Sequence, residues 1–204
     1  MAEGLGNVRV GNTRHALKDR KDDLYETPAV AVYTLLRCET LPLRIWEPAA
    51  GRRAIASILT DAGHQVLCTD LVRRGAPGVH EGIDFLMEPV ACDGIDCIVT
   101  NPPFKLADEF IRHGLKLCPK VIMLLRWAYA EGAGRSDIID GHLSRVWLGK
   151  ERLPMMHRDG WEGHKDTNSG QPFAWFVFER EPPMPGQFTV RRMSWRDERK
   201  NWKP

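Results

Sequence analysis

A chain of 204 residues, 43% of them hydrophobic and 27% charged, is long enough to bury a full core, and its composition excludes a disordered chain. No apolar run approaches membrane-spanning length and no apolar segment of signal-peptide type opens the chain, so a cytoplasmic location without a membrane partner is expected. A formal net charge of +2 does not by itself announce a nucleic-acid partner, and five scattered cysteines exclude a disulfide framework.

Residues 1–22 are polar, glycine-containing and without clear periodicity, which predicts a flexible N-terminal arm. Its Arg14, Lys18, Arg20 and Lys21 read as solvated, with phosphate contact as the alternative. Thr27-Pro28 has the form of a helix N-cap with proline at the first helical position, and Val32, Leu35 and Leu36 mark the inner face of a helix reaching Cys38. Leu43 to Trp46 predicts the first strand. Glu47-Pro48-Ala49-Ala50-Gly51 turns it into a helix carrying Ile55, Ile58, Leu59 and Ala62, closed by Gly63.

Gln65 to Thr69 predicts the second strand, which ends on Asp70. Two acceptor oxygens there suit the vicinal hydroxyls of a ribose; a charge marking a strand end is the plainer reading. Asp84 and Phe85 follow a Gly/Pro-rich loop and fit the end of a short third strand, where a carboxylate beside an aromatic ring suits an adenine.

The central stretch is Asn101-Pro102-Pro103-Phe104. It ends the apolar run Asp96 to Thr100 and opens a helical pattern of Leu106, Ala107, Phe110, Ile111 and Gly114, so it sits at a strand's carboxyl end, where ligands bind in open α/β sheets. Two successive prolines fix φ and remove two N–H donors, which leaves rigidly aimed carbonyls. The Asn101 amide adds an acceptor and Phe104 a flat apolar face, a set suited to a planar heterocycle with an exocyclic amine. An Asn-Pro turn followed by a core phenylalanine is the alternative.

Val121 to Leu125 predicts a buried parallel strand, and Arg145 to Leu148 and Phe173 to Phe178 the last two. Two loops, Trp127 to Gly141 and Gly149 to Gly170, remain; His157 and His164 in the second read as solvated, and no metal site is expected. The alternation of strands and helices predicts a doubly wound α/β domain over residues 23–181. Residues 182–204 predict a basic tail, in which Arg191, Arg192, Arg196, Arg199, Lys200 and Lys203 outweigh Asp197 and Glu198. Trp195 and Trp202 lie among them and are expected to pack on the domain.

Glu26-Thr27-Pro28, Glu47 to Gly51, Asp70-Leu71, Asp84-Phe85 and Asn101 to Phe104, in that order, resemble the amino-methyltransferases that use S-adenosylmethionine. The likeness is to the TaqI-type N6-adenine DNA methyltransferases and their small phage and prophage relatives, over residues 24–179. It implies a class I methyltransferase, Rossmann-like fold: a seven-stranded, mainly parallel sheet with an antiparallel strand near the C-terminus. It also implies that Thr27, Glu47, Ala49 and Gly51 surround the methionine part of the cofactor, Asp70 and Leu71 its ribose, and Asp84 and Phe85 its adenine. Asn101, Pro102, Pro103 and Phe104 would hold a flipped adenine in DNA, with RNA as the alternative partner.

The chain departs from these relatives in two ways. Arg53 stands where they usually carry a second glycine, and Arg52 precedes it, so one of the two is expected to meet the cofactor carboxylate or a phosphate, a solvated arginine being the alternative. After Phe178 a tail of Pro182 to Pro204 follows, so specificity is expected to be short or loose, or to be carried by the Trp127 to Gly141 and Gly149 to Gly170 loops. Two other functions remain open at this stage: methylation of an RNA base or a protein glutamine amide, and a non-catalytic binding module with a degenerate cofactor site.

Overall fold

The computed structural model describes residues 26–91, 94–153 and 170–196. The arm, Cys92, the histidines His157 and His164, Trp202 and the end of the basic tail lie outside the described residues.

Among the described residues eight strands form one sheet: β1 (Arg44–Glu47), β2 (Gln65–Asp70), β3 (His80–Glu81), β4 (Cys97–Thr100), β5 (Lys120–Arg126), β6 (Leu143–Gly149), β7 (Phe173–Glu179) and β8 (Thr189–Met193). Their order is β3-β2-β1-β4-β5-β7-β6-β8. The first five run parallel, β7 lies antiparallel between β5 and β6, and β8 runs parallel to β6. The α-helices among the described residues are α1 (Ala29–Cys38), α2 (Ala56–Asp61), α3 (Ala107–Leu117) and α4 (Ser136–His142). None is long and apolar enough to cross a membrane.

Alternate residues of the central strands feed two cores, as the pleat requires. Ile122 and Leu124 of β5, with Trp175 and Val177 of β7, pack under α1 and α2. Val121, Met123 and Leu125, with Phe176 and Phe178, pack under α3 and α4. This two-sided burial explains why β5 and β7 read as continuous apolar runs. Gly114 lets α3 approach the sheet: a Cβ there would lie 3.0 Å from Val121 and 3.2 Å from Ile98.

The structure departs from the sequence reading at four places. The sheet has eight strands, not seven. β8 was hidden because four of its five side chains face solvent, so the segment shows no buried period; its arginines suit an edge strand that must not recruit another chain. Trp195, just beyond it, packs into the α1/α2 core at 1% exposure, as expected of it. The third strand ends at Glu81, because Gly82 takes φ +80° and the N–H groups of Gly82 and Ile83 both turn onto the Asp70 carbonyl, at 2.8 and 3.1 Å. Pro28, not Thr27, occupies the cap position of α1, in extended conformation. The segment expected as a loop from Trp127 holds two single 3₁₀ turns, Trp127–Ala130 and Ala133–Arg135, and then α4.

At the end of the sheet away from Asn101, Glu39 ties α1 to the strands. It accepts hydrogen bonds from Arg145 Nε (2.7 Å), Trp147 Nε1 (3.0 Å) and Lys120 Nζ (3.2 Å). Burial opposes its charge, but these donors and cations hold its pKa below the ordinary value.

Candidate functional site

Glu47, Asp70 and Asn101 stand at or just past the carboxyl ends of β1, β2 and β4, three adjacent strands, so the tops of those strands bring distant residues together. All twelve residues singled out from the sequence line one cleft there: Thr27, Glu47, Ala49, Gly51, Asp70, Leu71, Asp84, Phe85, Asn101, Pro102, Pro103 and Phe104. Glu26, Arg52, Arg74, Ile83 and Leu106 line it as well.

Two carboxylates brace the loop between β1 and α2. Asp70 Oδ2 accepts the Gly51 N–H at 2.7 Å, and Oδ1 accepts the Val72 N–H at 2.7 Å. Gly51 takes φ +53°, a left-handed conformation that suits glycine, and the Ala50 N–H donates to the Thr69 carbonyl at 3.0 Å. Each Asp70 oxygen therefore already holds one backbone N–H and keeps one lone pair for a hydroxyl. Glu47 Oε2 accepts the Ala56 N–H at 2.9 Å, and Glu47 is only 2% exposed. Burial pushes its pKa well up; the Ala56 N–H opposes this, the Asp70 charge adds to it and Arg53 opposes it.

The two arginines part company. Arg53 adopts φ +68°, the left-handed region where a glycine is unstrained. Its guanidinium donates to the Pro77 carbonyl at 3.3 Å and packs on Gly78, on a loop outside the cleft lining. Arg52 is the one of the pair that lines the cleft.

Phe85 lines the cleft from within the core. It is 2% exposed, and its ring is wedged among Trp46 (5.2 Å, edge-on), Phe110 (4.8 Å) and His113 (5.0 Å). Asp84 turns its carboxylate to the Leu86 N–H at 3.0 Å, which starts the 3₁₀ turn Phe85–Met87 and drives the ring into the core. Exposed apolar surface on the cleft comes instead from Leu71, at 59%, and Leu106, at 38%. Leu106 was read only as part of a helix pattern.

At Asn101-Pro102-Pro103-Phe104 the Pro103 carbonyl accepts the Leu106 N–H at 2.9 Å, while the Pro102 carbonyl accepts no backbone N–H among the described residues. Phe104 is half-buried. Its ring centre lies 6.0 Å from that of Phe173, and the Arg126 guanidinium sits 4.6 Å above the ring. Sequence reasoning missed Arg126, because tertiary pairing brings it to Phe104: β5 runs beside β4, and Arg126 pairs with Phe173, which packs on Phe104. The four described cysteines are free thiols.

The lining carboxylates Glu26, Glu47, Asp70 and Asp84 outnumber the guanidinium groups of Arg52 and Arg74. With apolar Leu71 and Leu106 also on the lining, that set of acceptors fits a ligand with cationic centres, ribose hydroxyls and an apolar ring. S-adenosylmethionine has those features.

No protein-family profile matches the chain, and no curated protein matches it in sequence. Solved structures do match its fold. A chain from Pyrococcus horikoshii named as an RNA methyltransferase superposes with a TM-score of 0.54 at 13% identity, over 77% of this chain and 86% of that one. One from Listeria monocytogenes, named as a class I S-adenosylmethionine-dependent methyltransferase, gives 0.54 at 12% identity, over 83% and 64%. A modification subunit named for a type I restriction enzyme of Vibrio vulnificus gives 0.56 at 13% identity, over 88% of this chain and 52% of that one. This chain thus spans about half the length of the Vibrio subunit. The fold is that of the class I methyltransferases, with an eighth strand on the β6 edge.

Proposed function

We propose that the chain is an S-adenosylmethionine-dependent methyltransferase that acts on the N6 amine of adenine in DNA. The observation that carries this reading is the convergence of five separate sequence motifs on one acid-lined cleft that ends at Asn101-Pro102-Pro103-Phe104. The names of the structures that share its fold, which include an RNA methyltransferase and a restriction-modification subunit, agree with a nucleic-acid substrate.

Glu26, Glu47, Asp70 and Asp84 would hold the cofactor, Asp70 through the second lone pairs of its oxygens, and Leu71 would cover its apolar ring. When bound, S-adenosylmethionine supplies a methyl group activated by a positively charged sulfur. The chain's own residues orient the acceptor. The Asn101 amide oxygen and the Pro102 carbonyl would accept the two amine protons, which favours a pyramidal nitrogen with its lone pair exposed. The fixed φ of Pro102 and Pro103 keeps those acceptors from swinging away, and Phe104 supplies the stacking face. This is catalysis by orientation and preset dipoles, and it asks for no strong base.

The test is nucleoside mass spectrometry after incubation with S-adenosylmethionine and, separately, duplex DNA, single-stranded DNA, RNA and a glutamine-bearing peptide. N6-methyladenine in DNA, lost in Asn101→Ala, is the expected result. Methylation confined to the RNA or peptide pool would replace the proposed substrate, and failure to bind S-adenosylmethionine in calorimetry would remove the enzymatic reading altogether.

A further inference from the structure

We infer that the rim of the sheet beyond Phe104, across the ends of β5, β7, β6 and β8, is the track on which a DNA strand lays its phosphate backbone. The inference rests on the proposed function and gives that site its substrate surface.

Strand register places the rim. Arg126 pairs with Phe173, Leu148 with Ala174, and Gly149 with Met193, so these ends line up on the same side of the sheet as Asn101. Six exposed cations stand on that rim or just below it: Arg126, Lys150, Arg152, Arg191, Arg192 and Arg196. The single carboxylate among residues 143–153 and 187–196, Glu151, is half-buried and turned inward, accepting from Ser194 Oγ (3.0 Å) and the Trp195 N–H (3.2 Å). Glu131, the exposed acid that follows β5, is one carboxylate near this end of the sheet; Arg135 donates to its backbone carbonyl at 3.0 Å and pairs with Asp108 at 3.0 Å.

The two halves of the site are thus charged oppositely. Over β1, β2 and β4 the lining is acidic and suits a cationic cofactor; over β5 to β8 the rim is basic and suits a polyanion. Two rim arginines are held against aromatic rings: Arg126 lies 4.6 Å over Phe104 and Arg191 lies 5.5 Å over Trp147. Such stacking pre-orders long side chains and lowers the entropy lost when they meet a phosphate. Arg126 also places the inner end of the track on the ring proposed to stack the target base. Three inter-strand steps of about 4.8 Å make the rim about 14 Å wide, the length of about four stacked nucleotides at about 3.4 Å each.

The test is fluorescence anisotropy with short labelled single-stranded DNA and RNA of one sequence over a range of salt concentrations. The rim variant is Lys150→Gln with Arg152→Gln and Arg192→Gln. The control loses the same charge at the far end of the sheet through Arg37→Gln, Arg44→Gln and Lys116→Gln. For single strands each lost phosphate contact lowers the log–log salt slope by about 0.7, so the rim variant is expected to lose about 2 and to bind DNA about 100-fold more weakly at 0.1 M salt. The control should keep the wild-type slope, and both variants should bind S-adenosylmethionine as the wild type does. A rim variant with the wild-type slope, or an equal loss in the control, would overturn the track. Tighter binding in the RNA arm would overturn DNA as its occupant. Wild-type protein that binds DNA through the rim but does not bind S-adenosylmethionine would uphold the track while overturning the methyltransferase reading.

Discussion

Glu47→Gln should make the protein more stable and worse at binding its cofactor. Glu47 is 2% exposed, is repelled by the Asp70 carboxylate, and among the described residues its carboxylate accepts one hydrogen bond, from the Ala56 N–H. Burial raises its pKa, so ionising it costs stability as the pH rises from its unfolded value toward its folded one. The wild-type protein should therefore lose stability with rising pH across that window. The amide keeps an oxygen for Ala56 and turns its N–H donors toward Asp70, removing both the desolvation cost and the repulsion. On the scale of other buried charges replaced by neutral groups, the gain at pH 8 is on the order of 1 to 2 kcal/mol. For a chain of this size that raises Tm by about 3 to 6 °C. In the cofactor-bound state the same charge faces a cationic ligand, and losing it should weaken S-adenosylmethionine about tenfold or more, a difference of at least about 1.4 kcal/mol. Urea denaturation and calorimetry at pH 8 read the two quantities. A variant less stable than wild type at pH 8, or one with undiminished cofactor affinity, would refute the reasoning.

Two further substitutions test packing near the site. A Cβ on Gly149 would lie 2.0 Å from Trp195 Nε1, and Trp195 is enclosed, so Gly149→Ala should cost about 3 kcal/mol and shift the urea midpoint without changing the m-value. Phe85→Leu should cost about 1 to 2 kcal/mol, because its ring is wedged among Trp46, Phe110 and His113, yet leave S-adenosylmethionine affinity within about twofold in calorimetry. A large loss of affinity with intact stability would return Phe85 to the role of base cover.

What could be read from the chain alone was whatever local chemistry dictates. The apolar run of β5 announced a buried strand, the segment of β7 was read as a strand, and proline, glycine and acidic residues at strand ends marked the turns. The ordered motifs named a cleft whose lining the fold then assembled, because parallel strands must end on one side and carry their terminal residues there together. Direction and partnership were decided only in three dimensions. Phe85 points into the core because Asp84 caps its own turn, and Arg53 leaves the cleft because its left-handed backbone aims the guanidinium at Pro77. β8 carries no buried period because an edge strand needs none, so only its pairing with β6 reveals it. Arg126 reaches Phe104 through strand pairing, a relation between distant segments that no local pattern encodes.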